Sequence, residues 1–275
     1  MRLSCGEQLL GERPLAEKIA LVREAGFDGI DLRWSTLQAA DTRAALAAGG
    51  LPVGAIYSQL REPGLLSRHA AERATALDQA VKRAHGAADA GAACLILVPI
   101  FKAALLRAFP PVADLDTVET SLLLTALDEL AARLADVPIT VVLEPLNHGE
   151  SHFLTDPTRA AALCAAIGSP RIATMVDTYH CDREGQDSAA QSAAVGDHLG
   201  LIHLSDSDRQ LPGEGSIIFG PLLAALRRRG YGGWLGYECR PVTDQAALAR
   251  SVRRMRALWA NAANGNDVAT EGARA

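Results

Sequence analysis

The sequence predicts a (β/α)₈ barrel, the TIM-barrel fold, over residues 1–262, and two observations support this fold class. Short apolar runs alternate eight times with alanine- and leucine-rich segments that suit helices. The apolar runs are continuous and rich in β-branched residues, as expected for parallel strands that are buried on both faces. Eight strand–helix units in a chain of 275 residues fit one barrel domain better than two small domains.

The first half of the chain contains four of these units. The apolar runs predict strands at 2–6, 29–34, 52–58 and 94–99. The segments between them predict helices at about 15–25, 36–48, 68–90 and 115–135. Pro14 suits the first turn of the first helix, and Gly26 suits its C-terminal end.

The second half repeats the pattern and ends in a polar tail. Its apolar runs predict strands at 139–145, 171–177, 199–205 and 233–238. Helices are predicted after the opening residues 155–157, and at about 188–198, 218–229 and 243–262. Residues 263–275 have no apolar period, so we expect a disordered C-terminal tail.

Composition argues against several classes of partner. The net charge of −5 and the pI near 5.8 disfavour nucleic acid, which usually binds a basic face. No apolar run reaches the roughly 18 residues of a membrane span. The five cysteines form no C-x-x-C pair, and the first fourteen residues lack a secretion-signal pattern, so we expect a cytoplasmic protein in a reducing environment.

Four successive strands of the second half end in residues that can bind a metal ion. These residues are Glu144, Asp177, His203 and Glu238, about 30 residues apart. Because the C-terminal ends of barrel strands meet at one face, where barrel enzymes carry their active sites, we expect the four side chains to converge. Three carboxylates and one imidazole suit Mn²⁺, Mg²⁺, Co²⁺ or Zn²⁺.

Three further polar residues follow these strand ends at short offsets. Glu150 lies six residues after Glu144, His180 three after Asp177, and Arg209 six after His203. Loops at this face of a barrel carry substrate contacts, so the three are candidate substrate-binding residues. From the residues alone, a solvated Glu150, a helix-capping His180 and an Arg209 in a surface ion pair remain alternatives.

The segments LEPLNHGESHFLTD, MVDTYH, IHLSDSDRQLPGEGSIIF and GYECR resemble the xylose-isomerase-like TIM-barrel superfamily of sugar isomerases and epimerases. The pattern is most similar to that of the ketose 3-epimerases of the tagatose and psicose type. The resemblance implies one divalent metal ion, Mn²⁺ first, held by Glu144, Asp177, His203 and Glu238. It also implies substrate contacts from Glu150, His180 and Arg209, a small-molecule sugar substrate, and a homodimer or homotetramer.

The implied reaction is epimerisation or isomerisation of an unphosphorylated ketose or a related α-hydroxy ketone. One carboxylate removes a proton next to the carbonyl, the metal ion stabilises the enediolate, and the proton returns. By resemblance, Glu144 and Glu238 are the acid/base pair as well as metal ligands. Inversion of the same carbon is epimerisation, whereas delivery of the proton to the neighbouring carbon is aldose–ketose isomerisation.

Several other functions share parts of this pattern. A hydroxypyruvate isomerase usually has glutamine in place of His203, and an inosose isomerase or dehydratase would use the same metal ligands. A non-catalytic sugar-binding barrel would predict an incomplete set of ligands. A DNA-repair endonuclease with three zinc ions would need further ligands at the ends of strands three and four, where the sequence has none. A phosphosugar isomerase would need an anion site, for which the PGEGS loop with Arg209 is a weak candidate.

Overall fold

The structure is a computed structural model, which describes residues 1–61 and 64–262. Eight parallel strands pair in chain order, and β8 pairs with β1 to close the barrel. The predicted (β/α)₈ barrel is therefore confirmed. The disordered tail that we predict at 263–275 lies outside the described residues.

Each of the eight strands is four to six residues long. They are β1 (Arg2–Gly6), β2 (Gly29–Arg33), β3 (Val53–Tyr57), β4 (Cys94–Leu97), β5 (Thr140–Leu143), β6 (Ile172–Asp177), β7 (Leu199–Leu204) and β8 (Trp234–Tyr237). All lie within the predicted apolar runs, which are up to three residues longer because their last residues leave the strand and enter the loops.

Helices follow every strand and cover the outside of the barrel. They are α1 (Leu15–Ala25), α2 (Trp34–Leu37), α3 (Thr42–Gly49), α4 (Ala70–Asp89), α5 (Leu115–Arg133), α6 (Pro157–Ile167), α7 (Thr178–Arg183), α8 (Ser188–Val195), α9 (Phe219–Arg228) and α10 (Gln245–Asn261). Short 3₁₀ helices at Glu7–Leu10 and Gly196–His198 complete the regular structure of this part of the chain.

The structure differs from the predicted helices at two places. The helix predicted at 36–48 is divided into α2 and α3, and the buried Thr42 hydroxyl donates to the Thr36 carbonyl (2.6 Å) across the break. The short helix α7 was not predicted. It begins where the Asp177 side chain accepts the backbone N–H groups of Tyr179 and His180, a capping arrangement that starts a helix directly at the end of β6.

Apolar residues are buried in two separate layers. The larger cluster packs between the strands and the helices. The smaller cluster contains alternate residues of the strands, which face the barrel interior. Its members are Ala55, Cys94, Ile96, Val142, Ala173, Met175, Leu201 and Trp234. None of the described helices is both long and apolar enough to cross a membrane.

The interior between β1, β2 and β3 is polar instead. The register of β2 and β3 shifts between Ile30 and Leu32, which leaves one extra residue in β3. At this irregularity the Asp31 carboxylate accepts hydrogen bonds from the backbone N–H of Ala55 (2.8 Å) and from the hydroxyl of Ser4 (2.7 Å). A fully buried charged group therefore lies inside the barrel.

Candidate metal centre and substrate pocket

The structure brings together the four residues that the strand ends indicate. Glu144 and Glu238 directly follow β5 and β8, Asp177 is the last residue of β6, and His203 is the penultimate residue of β7. One potential ligand atom from each of them lies within 4.8 Å of the others. No other group of three or more such residues is found among residues 1–61 and 64–262.

Distances and unused polar atoms show that these residues fit a cation. His203 Nδ1 lies 3.3 Å from Glu144 Oε1, 3.5 Å from Asp177 Oδ2 and 3.5 Å from Glu238 Oε2. Glu144 Oε1, Asp177 Oδ2 and His203 Nδ1 are buried and have no hydrogen-bond partner. Buried polar atoms without a partner are costly, and a divalent ion between them would remove that cost. The donors are the hard oxygens and imidazole that such ions prefer.

The surrounding charges shift the pKa values of Glu144 and Glu238 in opposite directions. Burial raises the pKa of Glu144, and the neighbouring charge of Glu238 raises it further. Burial would also raise the pKa of Glu238, but His203 and Arg209 outweigh it, so that pKa is lowered. Of the two carboxyl groups, Glu238 is therefore held more firmly in its ionised form.

The other charged residues of the cluster also shift the pKa values of His203 and Asp177. Burial would lower the pKa of His203, but the carboxylates of Asp177, Glu144 and Glu238 raise it well above its ordinary value. Burial would raise the pKa of Asp177, but its interactions with His180, His203 and Arg209 lower it. Charge compensation within the cluster thus favours an ionised Asp177.

Arg209 connects the cluster to the candidate substrate contacts. Its guanidinium donates to Glu238 Oε2 (2.9 Å) and to Glu150 Oε1 (3.3 Å). It also stacks on the Tyr179 ring, 4.4 Å from the ring centre. Arg209 is thus an internal ion-pair partner, in contrast to the surface ion pair that the residues alone had left open.

His180 is oriented by Asn147, a residue that the sequence did not single out. The buried His180 accepts the backbone N–H of Asn147 at Nδ1 (3.0 Å). A neutral imidazole then carries its proton on Nε2. That nitrogen lies 2.9 Å from Arg209 Nη2, so the imidazole and the guanidinium lie side by side at the pocket. Glu150 makes its contacts with Asn147 and Arg209 rather than with His180.

A pocket opens beside the cluster. Its volume is about 380 Å³, and Glu144, Glu150, His180, Arg209 and Glu238 all line it. The pocket joins the candidate acid/base pair and the three candidate substrate contacts in one space. Asp177 and His203 are not among its lining residues, because they lie deeper in the barrel.

The opposite wall comes from the first half of the chain. Tyr57, at the end of β3, lies with its ring centre 5.7 Å from that of His203, and Gln8 Nε2 donates to the Tyr57 hydroxyl (3.1 Å). Phe101 also lines the pocket. Trp34 is not in the lining and packs against Gly86 of α4. Gln8 and Tyr57 were missed, although Tyr57 ends its strand in the same way as the candidate ligands.

Unusual backbone conformations occur in the loops around this pocket. Among the residues described, the non-glycine residues with positive φ are Gln59 (53°), Lys102 (63°) and Arg209 (61°). Gln59 and Arg209 line the pocket, and Lys102 follows the lining residue Phe101. Such conformations cost free energy and are concentrated at functional sites.

The PGEG segment has a structural role in the structure. The Asp206 carboxylate accepts the backbone N–H groups of Gly213 (2.8 Å) and Ile217 (2.9 Å). The segment does not line the pocket. It therefore supplies no anion site next to the four candidate ligands.

The fold and the site define an eight-stranded barrel whose C-terminal face carries four residues that could hold a cation. The family model described as "Xylose isomerase-like TIM barrel" matches residues 19–258, and the chain belongs to this family. The relatives are named as epimerases and isomerases, and the chain is an enzyme of that class.

Three relatives show how the likeness is distributed. A 3-dehydro-D-guloside 4-epimerase of Escherichia coli (strain K12) is 28% identical over 258 residues, which are 90% of this chain and 96% of the relative. A ketose 3-epimerase of Arthrobacter globiformis is 29% identical over 50% of this chain and 46% of its own length. A putative hydroxypyruvate isomerase of Streptomyces coelicolor (strain ATCC BAA-471 / A3(2) / M145) is 32% identical over 44% of this chain and 47% of its own length. The likeness to the second and third relatives thus spans about half of each.

Solved structures share the fold over almost the whole chain. The apo form of an E. coli 3-keto-D-glucoside 4-epimerase superposes with a TM-score of 0.79 at 23% identity, over 93% of this chain and 100% of the other. A D-psicose 3-epimerase in the presence of D-fructose gives a TM-score of 0.78 at 19% identity, over 96% of this chain and 100% of the other. At these identities the likeness concerns the fold alone.

Proposed function

We propose that the protein is a metal-dependent epimerase or isomerase of an unphosphorylated ketose or a related α-hydroxy ketone. The observation that carries the proposal is the convergence of Glu144, Asp177, His203 and Glu238 at one side of a pocket. Four of their buried polar atoms have no hydrogen-bond partner in the protein, which supports a cation as the missing partner. Mn²⁺ is the first candidate, and Mg²⁺, Co²⁺ and Zn²⁺ suit the same donors.

The proton transfers fall to the two glutamates. A divalent cation, when bound, supplies charge stabilisation for the substrate oxygens as the proton next to the carbonyl leaves. Glu238, whose pKa is lowered, is available as the carboxylate that accepts this proton. Glu144, whose pKa is raised, is the better donor for its return. The two come from β5 and β8, so they reach the pocket from different sides.

His180 and Arg209 position the substrate and stabilise its charge. Their adjacent N–H groups face the pocket and could donate to one substrate oxygen. A well-placed donor of this kind contributes about 10²- to 10³-fold in rate. Asn147 fixes the orientation of His180, and Glu150 accepts hydrogen bonds from Asn147 and Arg209.

The pocket favours a sugar over a three-carbon keto acid. A volume of about 380 Å³ exceeds what hydroxypyruvate would fill, and the polar side chains Gln8, Gln59 and Arg33 extend along its far wall. This observation supports a ketose, or a larger keto sugar, as the substrate. The nearly full-length match to a 3-dehydro-D-guloside 4-epimerase supports a keto glycoside as the second candidate.

A substrate panel tests the proposal. The Mn²⁺-loaded protein is incubated in D₂O with free ketoses, 3-keto glycosides, inososes and hydroxypyruvate, and the products are read by NMR. We expect deuterium at the reacting carbon of a ketose or keto glycoside, together with the epimer or isomer. Exchange of hydroxypyruvate or an inosose alone would refute a ketose or keto glycoside as the substrate, and no exchange with any compound would refute the function.

A further inference from the structure

Two arginines line the part of the pocket that lies opposite the candidate metal centre. Arg33 is the last residue of β2, and Arg61 lies in the loop after β3. The four candidate ligands come from β5, β6, β7 and β8, on the other half of the barrel. The pocket therefore has a carboxylate-rich end near β5 and β8 and a positively charged end near β2 and β3.

Neither guanidinium is neutralised by the part of the chain that the structure describes. Arg33 is half-buried and Arg61 is exposed, and no hydrogen bond or ion pair of either side chain to residues 1–61 or 64–262 is present. Arg61 stacks on Phe101, 4.4 Å from the ring centre, and this contact holds it over the pocket without using its N–H groups. Arg209, the third arginine of the pocket lining, already donates to Glu238 and Glu150.

The backbone on either side of these arginines is held in place by buried or strained residues. The backbone N–H of Arg33 donates to Glu7 (2.8 Å), whose carboxylate forms a buried ion pair with Lys18 (3.0 Å). The backbone N–H of Ser35 donates to Gln59 Oε1 (2.9 Å), and Gln59 has a positive φ. These two backbone donors are thus used within the protein, which leaves side-chain donors for a ligand.

The wall between the two ends of the pocket carries the neutral polar side chains of Gln8 and Tyr57. Gln8 uses its amide nitrogen on the Tyr57 hydroxyl, and its Oε1 is buried without a partner. An amide oxygen that lines a pocket and lacks a donor suits a substrate hydroxyl. The chain thus offers, in order across the pocket, an acid/base centre, a hydroxyl acceptor and a pair of cationic forks.

We propose that Arg33 and Arg61 bind a carboxylate at the end of the keto sugar remote from its reacting carbon. The proposal rests on the proposed function and narrows its substrate class to keto sugar acids. Guanidinium groups match planar carboxylates through paired N–H···O bonds. A carboxylate fits better than a phosphate, because the backbone N–H groups of Arg33 and Ser35, which could add to a phosphate cradle, already have acceptors.

Matched substrates test this assignment. The four D-2-ketohexoses are compared with the corresponding acids, in which a carboxylate replaces the terminal hydroxymethyl group, and with the 6-phosphates. Deuterium exchange in D₂O with the Mn²⁺-loaded full chain gives kcat/KM for each compound. For the best-exchanging stereoisomer we expect the acid to exceed the neutral ketose by about 10- to 100-fold, the effect of a charge-assisted contact.

Variants show whether the two arginines cause the preference. The double substitution Arg33→Gln and Arg61→Gln should lower the acid-to-ketose ratio at least about tenfold. Arg253→Gln, on the exposed face of α10, changes the net charge at a site away from the pocket and should keep the wild-type ratio.

Each result decides a different question. Exchange of neutral ketoses without a preference for the acids, or a preference that survives the double substitution, would overturn the carboxylate site and leave the proposed function standing. Faster exchange of the 6-phosphates than of the acids would replace the carboxylate by a phosphate and also overturn the proposal. No exchange of any of these compounds would overturn this inference, and no exchange of the keto glycosides either would remove the proposed function.

Discussion

Asp177 accepts the backbone N–H of His180 with one carboxylate oxygen and presents the other to the candidate metal centre. Oδ1 accepts from Tyr179 N (2.7 Å) and His180 N (3.0 Å). Oδ2 is buried without a hydrogen-bond partner, 3.5 Å from His203 Nδ1. Helix capping and cation binding are therefore compatible in one side chain, because each uses a different oxygen.

This division of roles predicts different outcomes for two substitutions of Asp177. Asn caps helices as well as Asp, so without added metal Asp177→Asn should lose the charge compensation of the carboxylate but keep the cap. It should still weaken Mn²⁺ binding at least about tenfold, because it removes a charged ligand. Asp177→Ala should lose the cap as well, at a further cost of about 1 kcal/mol.

Titration calorimetry with Mn²⁺ and urea unfolding measure the two effects separately. Wild-type Mn²⁺ affinity in Asp177→Asn would show that Asp177 serves only as a helix cap. A loss of stability in Asp177→Asn as large as that in Asp177→Ala would show that the capping account is wrong.

Glu238→Gln should abolish turnover more completely than it abolishes metal binding. An amide oxygen can still ligate a cation, but it cannot accept the substrate proton. We expect kcat to fall by about 10²- to 10⁴-fold, the contribution of a general base, while some Mn²⁺ remains bound. Glu214→Gln, in the exposed loop after β7, is the matched control and should retain wild-type kcat. Retention of kcat in the metal-loaded Glu238→Gln variant would contradict the role of Glu238 as the base.

Asp31 should make stability depend on pH. Burial raises its pKa to about 6 from the ordinary 3.8, although Ser4 and His203 act in the opposite direction. The folded protein therefore holds this proton more tightly than the unfolded chain. Its stabilising effect is fully present below the unfolded pKa and is lost as the pH rises through about 6.

Asp31→Asn removes this titration and keeps an acceptor for the Ala55 N–H. Urea unfolding in a chelator should show the variant gaining roughly 2 kcal/mol relative to the wild type between pH 4 and pH 7. A difference in unfolding free energy that is independent of pH over this range would mean that the buried carboxylate does not titrate as described.

Two neighbouring side chains inside the barrel leave no room for a side chain at Gly236. A Cβ there would lie 2.6 Å from Asp31 Oδ2 and 3.3 Å from His203 Cδ2. We expect Gly236→Ala to lower the free energy of unfolding by about 1–3 kcal/mol and to weaken Mn²⁺ binding by displacing His203. Gly232→Ala is the control, because a Cβ at that position meets nothing within 4 Å. Equal stability and equal Mn²⁺ affinity of the two variants would contradict this packing.

The candidate metal ligands in the second half of the chain could be predicted from the sequence, because each lies at the end of a strand. Apolar runs locate the strand ends, and parallel strands bring those ends to one face, so Glu144 and Glu238 could be placed together before any coordinates were known. Their partners in space were less visible. Asn147 orients His180 through its backbone N–H, and a backbone contact leaves no trace in residue type.

The pocket residues of the first half of the chain were harder to predict, because most of them lie in loops or in a 3₁₀ helix. Gln8 and Gln59 reach the pocket from a 3₁₀ helix and a loop, and Arg33 reaches it from the end of β2, where the Glu7 carboxylate accepts its backbone N–H. The division between α2 and α3 has the same origin, because no proline or central glycine marks it. Sequence periodicity reports buried faces, and it does not report such contacts.

The central claim is that a bound divalent cation and two glutamates move a proton. It is tested most directly by the deuterium content of the product before and after metal removal. The chelated protein should neither convert its ketose nor exchange deuterium, and added Mn²⁺ should restore both, with solvent deuterium at the reacting carbon of each product molecule. Conversion that survives complete chelation, or product formed in D₂O without deuterium, would contradict the account.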